Sequence, residues 1–248
     1  MSYQPVEGGA ALLIDCSIFV PSAGRHGTVR GDARNVCYKK GLSAILQHKG
    51  FFEDHNIHPI LVDNTFDDIR RLDFLDVSGV GELERCLFVD NRHGAKNKGA
   101  GVIRHWEKSR SLWSPYRWVI HLEARQLLKD LRFFERFLET PRTLFTWGNK
   151  GGKWGAPPLG VVGPRDPRVV RQRALLNDFY TGFFSVPSSW LGRYVDRFAG
   201  RLDEMLVNPQ PLLEKSVCTW TFCELGEVEI MESMGVLRLS PEGVIEHR

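Results

Sequence analysis

Two residues that handle charge in different ways stand two positions apart, Glu123 and Arg125, directly after the apolar run Trp118-Val-Ile-His-Leu122. A carboxylate in such a place can ligate a metal ion, accept a proton or cap a helix, and an arginine can hold an oxyanion through two parallel N–H groups. The run before them is β-rich and of strand length, so the pair is delivered at the carboxyl end of a strand, the edge where open α/β sheets take their ligands. Beyond it, Ala124, Leu127, Leu128, Leu131, Phe134 and Leu138 recur at spacings of three and four. That pattern predicts a helix over 123–139, stopped by Thr140-Pro141. Glu123 would then lie in a first helical turn, where the helix dipole alone favours a carboxylate.

Other polar residues end similar runs. Residues 11–20 read as a first buried strand, 58–65 as a second that carries Asp63, and 85–90 as a third that ends in Asp90. Residues 142–145 and 181–187 read as further strands, the latter with Gly182 near its start. Helices are expected over 33–49, 102–109, 169–176, 188–205 and 224–234, so strands and helices alternate as parallel βαβ units require. Trp190, Leu191, Tyr194, Phe198 and Leu202 have helical spacing and read as core, and His121 reads as a satisfied core histidine. The segments 22–32 and 148–160 are rich in glycine and basic residues; the second suits a binding loop or lid.

Composition narrows the class. With 248 residues, 42% hydrophobic and 25% charged, the chain reads as one α/β domain over 1–248. It holds no apolar run near the ~18 residues that could span a bilayer. Its first residues lack the basic flank and apolar centre of a secretory signal, which predicts a cytoplasmic protein. Five cysteines, without a Cys-x-x-Cys pair, read as reduced buried thiols. A net charge of +3 does not point to nucleic acid, although Arg165, Arg168, Arg171 and Arg173 form a basic cluster suited to a phosphate or a membrane surface, or to plain solvation.

In order and spacing the chain resembles, over most of its length, the GT-A glycosyltransferases, nucleotide-sugar-dependent enzymes with a Rossmann-like sheet. The resemblance implies a mainly parallel central sheet flanked by helices, with a nucleotide-binding half over about 10–125 and an acceptor-side half over about 126–248. Leu12 to Pro21 looks like the family's opening strand, and Asp63 like the acid that contacts base or ribose, with Asp90 in the same pocket. Asn97, Gly99 and Gly101 resemble its Asn-x-Gly segment, and Gly182 its glycine-containing strand beside the donor sugar. Where the family carries Asp-x-Asp for the metal that binds the diphosphate, this chain has Glu123-Ala124-Arg125. Either Glu123 holds Mn2+ or Mg2+ with help from elsewhere, or Arg125 itself neutralises the diphosphate.

The C-terminal third matches the inverting members in outline. Glu224 falls where the general base would be, with Glu227 and Glu229 as competitors; Gly235 and His247 match a downstream glycine and a late histidine. Lys96, Lys98, Lys150 and Lys153 are candidate diphosphate contacts. The resemblance therefore implies transfer of a sugar from a nucleoside diphosphate to the hydroxyl of a glycan or lipid-linked glycan acceptor, in glycan or cell-surface polysaccharide synthesis. Peripheral membrane contact is compatible with it. A catalytically inactive nucleotide- or partner-binding domain and a sugar nucleotidyltransferase are the rival expectations.

Overall fold

The structure is a computed structural model that describes residues 4–18, 31–90, 92–148, 159–167, 179–207, 213–240 and 243–247. Residues 22–30, 149–158 and 168–178 lie outside the described residues, and with them most of both basic glycine-rich segments, the helix expected over 169–176, Lys150, Lys153 and three arginines of the basic cluster.

Strand β1 (Ala10–Cys16) is buried along its whole length, as a strand covered on both faces must be. It pairs in parallel with β2 (Ile57–Asp63) on one side and β5 (Trp118–Glu123) on the other. Strand β4 (Glu84–Val89) adds in parallel beyond β2, and β3 (Thr65–Phe66) closes that edge antiparallel. On the other flank β9 (Phe183–Pro187) runs antiparallel to β5, followed by β7 (Leu144–Phe145), β10 (Val228–Ile230) and β8 (Gly160–Val162). The expected α/β architecture is therefore present, with a parallel centre. The chain winds outward from β1 through β2 to β4 and returns to β5 on the opposite side of β1, so the direction of winding reverses between β1 and β5.

Alternate residues of each strand feed two cores. Leu12, Ile14, Leu61 and Ile120 pack against α1 (Gly31–Leu46), α2 (Lys49–Asp54) and the phenylalanines of α5 (Arg132–Glu139). Ala11, Leu13, Val62 and Val119 pack against α3 (Lys98–Lys108), α4 (Arg110–Trp113) and α6 (Ser188–Phe198). The helix expected over 188–205 is divided after Phe198 and resumes as α7 (Leu202–Val207); α8 (Leu213–Glu224) follows. Among the described residues, no helix is long and apolar enough to cross a membrane.

Two expected helices are corrected. Residues 124 and 125 form a turn, and Gln126–Leu128 is a strand, β6, which pairs antiparallel with β11 (Val236–Ser240), itself paired with β12 (Gly243–His247). Helix α5 begins only at Arg132. Gln126 and Leu128 are buried while Leu127 is half-buried, so a strand's period of two satisfies residues whose spacing also fits a helix. Likewise, helix α8 ends at Glu224 where one was expected to begin. Gly226, at φ 76°, turns the chain, and Val228–Ile230 enters the main sheet.

Candidate functional site

The turn after β5 is fixed from three directions. The amide of Ala124 donates to Asp15 O on β1 at 3.0 Å, the amide of Glu123 donates to Gly182 O at 2.8 Å, and Leu239 of β11 donates to Arg125 O at 3.2 Å. Gln126 Nε2 also donates to Gly182 O at 2.8 Å. From below, α1 approaches so closely that a Cβ on Gly41 would overlap Ala124 O, which is why only glycine fits there. Glu123 and Arg125 thus project from a rigid turn at the carboxyl edge of β1 and β5, where the winding reverses and ligands collect in such sheets.

Glu123 is enclosed by cations. Lys98 Nζ, from the first turn of α3, lies 2.6 Å from Oε1, and Arg125 Nη2 lies 3.7 Å from Oε2. Burial would push this carboxyl up, but Lys98 and Arg125 together outweigh it and hold the group far below the usual carboxylate range. The Arg125 side chain is 15% exposed, and burial works against its charge while Tyr38, Glu123, Tyr180 and Cys37 work in its favour. Among the described residues it meets one carboxylate, at a separation longer than a hydrogen bond. Its N–H fork is therefore available to an oxyanion that reaches the carboxyl edge of β1 and β5. Lys98, against the same carboxylate, is 60% exposed.

Behind this surface lies a polar group that the sequence did not reveal. Asp15 stands opposite Glu123 in the β1–β5 register and is buried. Its Oδ2 is 3.2 Å from Nδ1 of the fully buried His121, and its Oδ1 is 3.5 Å from Nδ1 of His105 on α3. The Trp106 indole lies 3.2 Å from the same His121 Nδ1, so the Trp106 N–H and the Asp15 carboxylate converge on one ring nitrogen. Burial pushes the His121 imidazole below its ordinary value. Both Asp15 oxygens, both His105 nitrogens and His121 Nε2 make no hydrogen bond among the described residues. His121 is a core histidine as expected, packed against Phe184 at a ring separation of 5.0 Å, but one of its two ring nitrogens has no partner there. The readable signal was an aspartate near the end of an otherwise apolar buried strand.

The other candidates fall into place around the turn or away from it. Asp63 is buried at the end of β2 and accepts from Ile18 N at 2.9 Å, Thr65 N at 2.7 Å and the Thr65 hydroxyl, and burial raises its carboxyl. Its oxygens tie the β1 and β2 loops together. Asp90 accepts from Arg104 at 2.9 Å. Asn97 caps α3 through Ala100 N at 3.2 Å and donates to Met205 O at 2.9 Å, while Gly99 lets α3 approach Leu213 of α8. Gly182 supports the turn through its carbonyl. Lys96 is exposed beside α3.

Glu224 makes no ion pair with Lys98 or Arg125 among the described residues. It pairs with Arg193 at 3.0 Å at the end of α8 opposite Leu213, about 16 Å along the helix axis from the residue that touches Gly99. Glu227 is exposed, and Glu229 is held on β10 by Arg136 at 2.6 Å and Arg142 at 2.9 Å. Gly235 accepts from the amides of Lys129 and Asp130, and His247 pairs with Leu237 in β12.

Among the described residues, the Glu123–Arg125 turn does not supply the donor set that a divalent metal takes. Such an ion needs several hard oxygen donors, whereas Glu123 is the one carboxylate of its turn and two cations already face it. Asp15, next on the same face, is directed at two histidines in the interior. Among the described residues, no three His, Cys, Asp or Glu side chains are placed to share a metal ion.

No protein-family model matches the chain, and no curated protein matches it. Among solved structures it is similar to a protein assigned as a nucleotide-diphospho-sugar transferase from Desulfovibrio desulfuricans G20, at 9% identity and a TM-score of 0.46, over 90% of this chain and 79% of that one. It is also similar to galactosyltransferase LgtC in complex with donor and acceptor sugar analogs, at 10% identity and a TM-score of 0.43, over 90% of this chain and 72% of the other. At these scores the likenesses are of coarse arrangement and carry the position of no side chain.

Proposed function

We propose that the chain is a glycosyltransferase that binds a nucleoside-diphosphate sugar at the carboxyl edge of β1 and β5 and passes the sugar to an acceptor hydroxyl. The observation that supports this reading is the Arg125 guanidinium, nearly buried on a rigid turn with its donors open, beside Lys98 at the place where the sheet's winding reverses. In the reaction, the bond from the anomeric carbon to the diphosphate oxygen breaks and the leaving diphosphate keeps the electron pair. The acceptor oxygen bonds to the same carbon and gives up its proton to an oxygen of the departing diphosphate. Fixed cations at the leaving oxygens stabilise the charge that develops there, and they need no reorganisation when it does.

The acceptor would be a glycan or a lipid-linked glycan, and the pathway one of glycan or polysaccharide synthesis. A thermal-shift screen against UDP-, GDP-, CMP- and dTDP-linked sugars, with and without manganese, tests the donor. At least one nucleoside-diphosphate sugar should raise the melting temperature and release its diphosphate when a suitable glycan is added. Stabilisation by none of them would sink the reading, and binding without release would leave a nucleotide-binding domain.

A further inference from the structure

The Glu123–Arg125 turn differs from a metal site in a way that specifies how an anion is held. We propose that the diphosphate is received by a metal-free pair of cations, Lys98 and Arg125, and that Glu123 is their resident counter-ion, not a metal ligand. This rests on the reading of the site as a nucleoside-diphosphate site, but it makes separate predictions.

The argument begins with charge. Lys98, Arg125 and Glu123 are two cations and one carboxylate, one positive charge in surplus among these three before any ligand arrives, while the next carboxylate, Asp15, faces His105 and His121 in the interior. A divalent cation placed on Glu123 would have to displace Lys98 from its 2.6 Å contact with Oε1 and would sit beside two like charges. An incoming diphosphate meets the opposite situation. Its oxygens can take the place of the Glu123 carboxylate at Lys98, which is 60% exposed and free to swing on a flexible stem. They can also reach the Arg125 fork, whose Glu123 contact is 3.7 Å and no hydrogen bond. Glu123 keeps the two cations together while the site is vacant of anion, and it competes with the diphosphate for both. An anion site and a metal site therefore predict opposite signs when this carboxylate is removed.

The test uses the full chain and isothermal titration with inorganic pyrophosphate, UDP and GDP, each with excess EDTA and again with manganese. Affinity should be the same under both conditions, should fall about tenfold in Lys98→Met, and should rise about threefold or more in Glu123→Gln. Because Lys98 is largely exposed, its variant leaves folding intact, which circular dichroism confirms. Binding that requires manganese and disappears in Glu123→Gln would overturn the proposal while leaving the nucleoside-diphosphate reading in place. Pyrophosphate binding with these signs, but with no binding of either nucleoside diphosphate, would support the cation pair and count against that reading. Absence of binding by all three anions would overturn the proposal.

Discussion

Lys98 Nζ and Glu123 Oε1 meet at 2.6 Å across the gap between the first turn of α3 and the end of β5. The contact couples two elements that are joined nowhere else at this edge by an ion pair among the described residues, yet its value to the fold is small. Lys98 is 60% exposed, so solvent screens the pair. Lys98→Ala should change unfolding free energy by no more than about 1 kcal/mol in urea titrations. The same variant should bind pyrophosphate about tenfold more weakly by calorimetry. A large stability loss would make Lys98 a structural residue.

Gly41 is the point on which the position of Arg125 depends. Alanine in a helix interior normally gains about 0.5–1 kcal/mol over glycine. Here a Cβ would overlap Ala124 O, a backbone atom already held by the Glu123–Gln126 turn and its bonds to β1, β9's leading loop and β11. Overpacking wins: Gly41→Ala should destabilise by about 1–3 kcal/mol in denaturant titration. Because relief requires α1 or the turn to move, anion affinity should fall too, although the substituted residue touches no ligand.

The strands of the parallel centre and the placement of Glu123 and Arg125 at a strand end were legible because an all-apolar run closed by a polar residue has few other readings. The turn and strand that follow were not. Ala124, Leu127, Leu128 and Leu131 fit a helical face as well as a strand, and the choice was made by β11, more than a hundred residues later, which supplies the partners for Gln126–Leu128. The helix expected over 224–234 failed for a related reason: Val228 and Ile230 are taken by β7 and β8, so α8 has to end first. Asp63 was found as a polar residue at a strand end and Asn97 through its likeness to an Asn-x-Gly segment, while their hydrogen bonds to Ile18, Thr65, Ala100 and Met205 depend on contacts that neither signal contains.

Two glutamates of the C-terminal third should respond to very different extents. Glu224 is a surface partner of Arg193, with side-chain exposures of 30% and 49%, so Glu224→Gln should shift stability by less than about 1 kcal/mol. It should also leave sugar transfer unchanged; a loss of turnover without a loss of donor affinity would restore Glu224 as a base. Glu229 is 9% exposed between Arg136 and Arg142. Its conversion to Gln leaves two guanidinium groups facing a neutral amide and should cost about 2–3 kcal/mol. That is less than the roughly 3–5 kcal/mol of a fully buried pair, because the arginines themselves are about a third exposed.

The buried histidine makes acid stability a test of the polar group behind the site. His121 is faced by Asp15 from β1, by His105 and Trp106 from α3 and by Phe184 from β9, with Glu123 and Lys98 farther along the same face. Burial lowers its folded pKa, so between that value and the unfolded value of about 6.5 the unfolded chain binds the extra proton. Stability from this group is therefore complete at neutral pH and falls as pH drops below about 6.5. Glu123, whose folded pKa is depressed, loses its contribution in a separate window below its unfolded value of about 4.3. His121→Phe keeps an aromatic ring against Phe184 but removes the acceptor from the Trp106 indole, and should cost about 1–3 kcal/mol at pH 7. Urea midpoints measured from pH 7.5 to 5 should then fall less steeply for the variant than for the parent. Parallel curves would mean that His121 does not titrate on unfolding as its burial requires.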